Sequence, residues 1–266
     1  MILIGEKLNS SIPSALEALQ ARDEQAVTEL IRRQAQAGAD YLDVNTAICG
    51  DQELDRMLWA LELVQKNCSC GIMIDSTDPA VMAQAAKAVQ GRPLIFNSAT
   101  VTDRFEPVTQ LALEYGAGIV GMPIDDQGLP TSLEDKCAKI DRLVAKLRQA
   151  GIPDGQIYVD VLVEALATDG ESARKTVDAV AYVAKTYPEV RTVCGLSNIS
   201  FGLPRRKLIN SAFLAAALYA GLSAAILDPA SPSLRDTLAA ARVVAGQDDY
   251  CMDYITYVRD QEEAGR

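Results

Sequence analysis

Residues 192–204 read TVCGLSNISFGLP, and within a few positions this stretch changes from an apolar strand to a polar loop. The apolar start predicts a strand over residues 192–198, which ends at Asn198. A buried parallel strand that ends in an amide before a loop with glycine and proline is typical of a β/α barrel, where strand ends form the open face. Several other segments end in the same way, so the stretch indicates a barrel with a polar open face.

The spacing of the apolar segments sets the fold class. Strands are predicted to start near residues 2, 41, 71, 94, 118, 157, 192 and 224, with amphipathic helical patterns between them. The average spacing is about 30 residues, the size of one βα unit. Eight units without a linker predict an α/β fold, a single (β/α)8 TIM barrel, with residues 1–266 as one domain. A doubly wound sheet is the alternative, and it needs a reversal of strand order that a sequence does not display.

Composition and charge exclude several classes of partner. The 266 residues are 49% hydrophobic and carry a formal net charge of −11, which argues against nucleic acid or an anionic membrane as a partner. No apolar run reaches the length of a membrane span, and no targeting segment is recognisable at the start. We therefore expect a cytoplasmic protein that does not bind membranes.

The chain contains no histidine, which removes the commonest general acid–base group and the commonest neutral metal ligand. The six cysteines are expected to be mostly buried apolar residues. Cys68 and Cys70 are spaced for a metal, but no histidine stands nearby, so no bound metal is expected. Any chemistry must use carboxylates, amides, hydroxyls, lysine or cysteine.

Polar side chains end seven of the eight predicted strands. The set comprises Glu6, Asn9, Asn45, Asp75, Asn97, Asp160, Asn198 and Asp228. Each one alone could cap the following helix, but in a barrel all of them converge on the carboxyl-terminal face. Carboxylates and amides without a phosphate-type glycine loop suit a flat heterocycle rich in N–H donors. This chemistry describes a pterin better than a sugar phosphate.

Seven segments resemble the pterin-binding methyltransferases, most closely the methyltetrahydrofolate:corrinoid protein methyltransferases. The segments, in order over nearly the whole chain, are GEKLN at 5–9, LDVN at 42–45, IDS at 74–76, FNS at 96–98, VD at 159–160, GLSNIS at 195–200 and RKLIN at 206–210. The resemblance implies that tetrahydrofolate or 5-methyltetrahydrofolate is a substrate. It also implies a separate corrinoid protein, which carries cobalamin, and a homodimer.

The resemblance also implies roles for individual residues. Asn198 resembles the catalytic amide that contacts N5 of the folate, and Ser197 is expected to orient it. The implied substrate-binding set is Asp75, Asn97, Asp160, Ser197, Asn198, Arg206 and Ile226, with Glu6, Asn9 and Asn45 as supporting candidates. Val161 departs from the family pattern, because many relatives have proline after the aspartate of the sixth strand. The loop after Asp160 can therefore follow a different path in this chain.

The methyl-transfer chemistry fits a chain without histidine. An amide is not a general acid, but its N–H can stabilise developing charge at N5. The direction of transfer, the identity of the corrinoid partner and the pathway stay open, with carbon fixation, O-demethylation and methylamine or betaine use as candidates. The alternatives are a dihydropteroate-synthase-like enzyme, a non-catalytic folate-binding subunit, and an aldolase-type barrel, for which Lys7 is the lysine at a strand end.

Overall fold

The computed structural model describes residues 1–102 and 104–264, so the predicted domain of residues 1–266 includes three residues outside the described part. Eight parallel strands form one sheet in the order β7-β6-β5-β4-β3-β2-β1-β8. The strands are β1 Ile2–Asn9, β2 Tyr41–Asn45, β3 Gly71–Asp75, β4 Leu94–Ala99, β5 Gly118–Gly121, β6 Ile157–Asp160, β7 Arg191–Val193 and β8 Ala224–Leu227. Where β7 and β8 meet, the Ile226 amide donates to the Cys194 carbonyl at 2.9 Å. The predicted (β/α)8 TIM barrel is confirmed.

Helices cover the outside of the sheet. Within the described residues they are α1 Pro13–Ala21, α2 Glu24–Gln36, α3 Glu53–Asn67, α4 Pro79–Ala88, α5 Phe105–Tyr115, α6 Leu133–Gln149, α7 Ser172–Thr186, α8 Arg206–Tyr219, α9 Pro232–Val244 and α10 Met252–Ala264. Local chemistry sets several ends: Asp23 accepts the Ala26 amide at 3.0 Å to cap α2, and Gly116 ends α5 at φ 57°. In the described part of the chain, no helix combines the length and apolar character needed to cross a membrane.

The interior of the barrel is an apolar layer. Its buried members are Ile4, Met73, Ile95, Val120, Tyr158, Val193 and Ala224. Side chains alternate between the two faces of a strand, so the residue two positions further along points the same way and lies nearer the carboxyl end. Glu6, Asp75, Asn97 and Asp160 each stand two positions after a member of this layer. The apolar layer therefore forms the floor beneath these polar residues.

The predicted strand over residues 192–198 is wrong in its second half. β7 ends at Val193, and Leu196–Ser200 forms a short 3-10 helix. The Asn198 amide donates to the Gly195 carbonyl at 3.2 Å, and the Phe201 amide donates to the Asn198 carbonyl at 3.1 Å. These local bonds turn the chain away from the sheet, so Asn198 lies on a loop above the strand ends.

The amino ends of the strands form the closed base of the barrel. The Arg191 guanidinium lies 5.3 Å from the centre of the Tyr158 ring and donates to its hydroxyl at 3.3 Å. Arg191 also donates to the Gly155 carbonyl. Arg191 is thus held by an aromatic face and two oxygen acceptors.

Candidate active site at the carboxyl ends of the strands

Four polar residues form one row across neighbouring strands. In the parallel register Asn9 pairs with Asn45, Asn45 with Asp75, and Asp75 with Asn97. Paired residues in adjacent parallel strands lie about 4.8 Å apart and point to the same face. The predicted convergence of these strand ends therefore holds in the structure, and we call this end of the barrel the mouth.

Asn45 fixes the centre of that row. Its side-chain amide nitrogen donates to Asp75 Oδ2 at 2.8 Å. Its oxygen accepts from the Ser10 hydroxyl at 2.9 Å and from the Ala47 amide at 3.1 Å. Because both ends of the amide are engaged, its orientation is determined, and one oxygen of Asp75 is held in place.

Asp75 is a partly buried carboxylate whose charge is costly. Burial raises the pKa of Asp75 to about 6, although the Asn45 hydrogen bond and the nearby Arg104 oppose the shift. Glu53 adds a further carboxylate nearby and raises the pKa of Asp75. At neutral pH the group is therefore mostly ionised but would be stabilised by additional hydrogen-bond donors.

Asp43 lies in the same region and is 1% exposed. Burial raises the pKa of Asp43 well above its usual range, and the nearby Asp75 carboxylate raises it further. Asn9 donates to Asp43 Oδ2 at a long 3.4 Å, while Asp43 Oδ1 has no hydrogen-bond partner among the described residues. Asp43 is a site residue that was not predicted from the sequence, although its alternation with Asn45 along β2 places both on the inward face.

Asp160 approaches the row from the opposite side of the barrel. Burial raises the pKa of Asp160 to about 6, and the Asp75 carboxylate contributes to the rise. Asp160 Oδ1 accepts the backbone amide of Leu162 at 2.8 Å. Since Asp75 acts on both Asp43 and Asp160, three carboxylates lie within electrostatic reach of one another.

The 3-10 helix that carries Asn198 is tied to β1. The Ser197 hydroxyl donates to the two Glu6 oxygens at 3.0 and 3.3 Å. Asn198 itself is exposed, and its side-chain nitrogen would lie 3.1 Å from a Cβ added at Gly195. A side chain at position 195 would therefore crowd the Asn198 amide, and Ser197 holds the loop through Glu6.

Arg206 also braces this loop. Its Nη2 donates to the Ser197 carbonyl at 2.7 Å and its Nε donates to the Ser200 hydroxyl at 3.0 Å. The residue is exposed, and its guanidinium lies 5.7 Å from the Phe201 ring centre. The predicted role of Arg206 in a folate pocket stays a prediction, whereas its contact with the Asn198 loop is direct.

The remaining predicted residues lie at the same end. Ile226 on β8 pairs with Ile4 and is partly buried against the interior layer. Beyond it, the Lys7 ammonium lies 2.9 Å from Glu6 and 3.5 Å from Asp228. Lys7 is thus engaged by two carboxylates, whereas a Schiff-base lysine needs its amine free to attack a carbonyl.

The arrangement offers carboxylate and amide groups around an apolar floor. Buried acceptors that lack full hydrogen bonding are stabilised by a ligand that brings donors. A planar group with an amino group beside a ring N–H could pair with one carboxylate through two parallel hydrogen bonds. The mouth is therefore suited to bind a flat, nitrogen-rich ring.

Comparison with known proteins agrees with this geometry. The model of the family described as pterin binding enzyme matches residues 5–228. The chain is 30% identical over 265 residues to the methylcorrinoid:tetrahydrofolate methyltransferase of Eubacterium limosum, covering 96% of this chain and 94% of that protein. It is 32% identical over 241 residues to the methionine synthase of Mycobacterium leprae, covering 85% of this chain but 20% of that much longer protein.

A solved structure shares the architecture. The dihydropteroate synthase of Coxiella burnetii, in complex with pteroic acid, superposes with a TM-score of 0.64 at 18% identity, and the alignment covers 92% of each chain. At that level of identity the likeness concerns the fold alone.

Proposed function

The chain belongs to the pterin-binding enzyme family, and we propose that it is a methyltransferase that moves a methyl group between N5 of tetrahydrofolate and the cobalt of a corrinoid protein. The family predicted from seven sequence segments is thereby confirmed. The finer assignment is supported by similarity, over nearly the full length of both chains, to a protein named for methylcorrinoid and tetrahydrofolate.

The observation that carries the proposal is the cluster of carboxylates at the mouth, where Asp75 and Asp160 each accept one hydrogen bond and the buried Asp43 Oδ1 accepts none among the described residues. Asp75 and Asp160 both have a pKa raised to about 6, because burial deprives their charged forms of water. A pterin edge supplies N–H donors in a fork that fits a carboxylate bidentately. Binding would replace the missing water and favour the ionised carboxylates. Asn97 lies next to Asp75 in the register, and in this proposal its amide serves the lactam oxygen and N–H together.

Asn198 is proposed to act on N5. When the bond between N5 and the methyl carbon breaks, the electron pair stays on N5, which then needs a proton or a strong hydrogen bond. The Asn198 N–H can stabilise that developing charge, while Ser197, Glu6 and Arg206 hold its loop in place. The reverse transfer uses the same groups by microscopic reversibility.

The partner would be a separate protein that carries the corrinoid, since the methyl acceptor or donor must reach the open mouth. We further propose a cytoplasmic homodimer. The pathway could be O-demethylation or another use of one-carbon units, and it would be specified by the corrinoid partner. The negative net charge of −11 makes a partner with a basic docking surface favourable.

Two measurements test the proposal. Calorimetric titration with tetrahydrofolate and 5-methyltetrahydrofolate is expected to give saturable binding to the isolated chain. Single-turnover mixing of the 5-methyltetrahydrofolate complex with a Co(I) corrinoid protein is expected to give the absorbance change of cobalt methylation. Binding without transfer to any of a panel of corrinoid proteins would favour a non-catalytic folate-binding subunit, and no folate binding would overturn the proposal.

A further inference from the structure

Lys136 is a buried lysine that takes no part in the methyl-transfer steps proposed above. It lies in the first turn of α6, yet it is 4% exposed. Its ammonium donates to the carbonyl of Val161 at 2.9 Å and to the carbonyl of Leu162 at 3.0 Å. Burying an ammonium costs free energy unless acceptors surround it, and here two consecutive carbonyls of one backbone turn accept its hydrogen bonds.

That turn directly follows Asp160 and is unusual in its backbone. Leu162 has φ 51°, in the left-handed region that costs a residue with a side chain about 1–2 kcal/mol. The Leu162 amide donates to Asp160 Oδ1 at 2.8 Å. Leu162 therefore accepts a hydrogen bond from Lys136 at its carbonyl and donates one to Asp160 from its amide. Without the clamp, the turn would be free to relax and the amide to leave the carboxylate.

We propose that Lys136 is a positioning residue, which clamps the turn at Val161 and Leu162 so that the Asp160 carboxylate is presented to the pterin at the mouth. The inference rests on the proposed function, because the carboxylate is positioned for that ligand. The Val161 amide itself donates to the Val193 carbonyl at 3.1 Å, a hydrogen bond that proline at this position would not make.

Charge supports the same assignment. Groups from several elements act on Asp160: the Lys136 ammonium lowers the pKa of Asp160, whereas Asp75 from β3 raises it. Behind it, the buried Cys194 thiol after β7 has a raised pKa, caused by burial and then by Asp160. Burial lowers the pKa of Lys136, and Glu164 opposes that shift. Loss of the ammonium would leave Asp160 with one cation fewer and a weaker tendency to ionise.

The same helix supplies a matched control. Lys139 is 2% exposed and lies one turn from Lys136 on α6. Its ammonium donates to the Gly128 carbonyl at 2.8 Å and lies 2.9 Å from Asp125, both in the loop after β5. Lys139→Met therefore removes a buried ammonium of equal size and burial that clamps a different loop.

The experiment compares Lys136→Met, Lys136→Gln and Lys139→Met with the wild-type chain. In protein labelled with 13C at the aspartate carboxyls, the Asp160 signal is assigned by its loss in Asp160→Asn and followed through a pH titration. We expect the midpoint of Asp160 to rise by about 1 pH unit in Lys136→Met and Lys136→Gln, and to stay unchanged in Lys139→Met. Glutamine retains a neutral NH2 donor group without the charge, so this variant gives the answer if methionine prevents folding.

Folate binding and turnover are measured on the same proteins. Tetrahydrofolate affinity at pH 7 is expected to fall by about tenfold in the Lys136 variants, with kcat at saturating folate within about twofold of wild type and KM raised. A wild-type Asp160 midpoint in Lys136→Gln, or an equal rise in Lys139→Met, would overturn the inference. The NMR titration needs no folate. Failure of wild-type protein to bind tetrahydrofolate would instead count against the proposed function and against Asp160 as a pterin ligand.

Discussion

The two ends of the barrel are formed by the same eight strands, but they differ in how completely their polar groups are hydrogen-bonded. At the base, Arg191 lies against the Tyr158 ring and donates to the Tyr158 hydroxyl and the Gly155 carbonyl. At the mouth, Asp43 leaves one buried oxygen without a partner among the described residues, and Asp75 is held by one amide. The base uses its polar groups to stabilise the fold, whereas the mouth holds acceptors whose hydrogen bonding is incomplete.

This difference bears on the stability of the empty protein and on its affinity for a ligand. A buried carboxylate that is costly in the empty protein becomes favourable when a ligand supplies donors. The mouth should therefore lower the stability of the empty protein and raise its affinity for folate. Each of the following variants tests one side of that contrast.

The largest expected effect is on turnover. We expect Asn198→Ala to lower the single-turnover rate of methyl transfer by about 10²–10³-fold, the usual cost of removing one donor from developing charge. Because Asn198 is exposed and lies above the row that contains Asp75 and Asn97, tetrahydrofolate affinity should stay within several-fold. Rapid mixing with the corrinoid protein measures the rate and calorimetry the affinity. Unchanged turnover would remove Asn198 from the mechanism.

The next effect is on the stability of the empty protein. Asp75 and Asp160 each have a folded pKa of about 6, above the unfolded value of about 4. The folded state then binds more protons than the unfolded state between these values, so stability falls as pH rises from about 4 to about 7. Each group contributes about 2–3 kcal/mol to that loss.

Denaturant unfolding of wild-type protein and of the Asp75→Asn/Asp160→Asn double variant measures this loss. The double variant should lose much less stability over the same pH range and should be the more stable protein at pH 8. Arg191→Met is the control at the base and should retain the wild-type pH slope. If the free energy of unfolding changes with pH equally in the wild type and the double variant, these two carboxylates do not lower the stability of the empty protein.

The same carboxylates should strengthen the binding of tetrahydrofolate. We expect Asp75→Asn to weaken tetrahydrofolate binding by about 10–100-fold at pH 7, since a charge-assisted bidentate pair is replaced by a weaker one. In wild-type protein the affinity should fall as the pH is lowered through about 6, because protonated Asp75 accepts fewer hydrogen bonds. Calorimetry at pH 5, 6 and 7 tests both statements. Equal affinity in the variant would argue against the pterin edge as its ligand.

The contrast between the ends could be predicted from the sequence in part. Strand positions followed from apolar segments at intervals of one βα unit, and Asn45, Asp75 and Asn97 were expected at one end because strand ends converge. Asp43 was missed, although its spacing of two from Asn45 places it on the inward face. Reading alternation backward from each strand end would have found it.

Other features depend on tertiary contacts that no local pattern records. Lys136 stands four residues before the buried Ile140, so it continues the apolar stripe of α6, but its acceptors come from a turn about 25 residues away. The 3-10 helix of Asn198 is five residues long, which is too short to give a periodic signal. Arg206 contacts the Ser197 carbonyl, a contact that only the folded loop creates.

The smallest expected effect belongs to the base. We expect Arg191→Met to lower the free energy of unfolding by about 1–2 kcal/mol, since it removes a cation–π contact and two hydrogen bonds but leaves an apolar chain to cover the Tyr158 ring. Tetrahydrofolate affinity should stay within about twofold, because the apolar layer of Ile4, Met73 and Val193 separates this end from the mouth. Urea unfolding and calorimetry on one preparation measure both quantities. If the free energy of binding changes by more than the free energy of unfolding, the base is energetically coupled to the mouth. The two ends would then not be independent of each other.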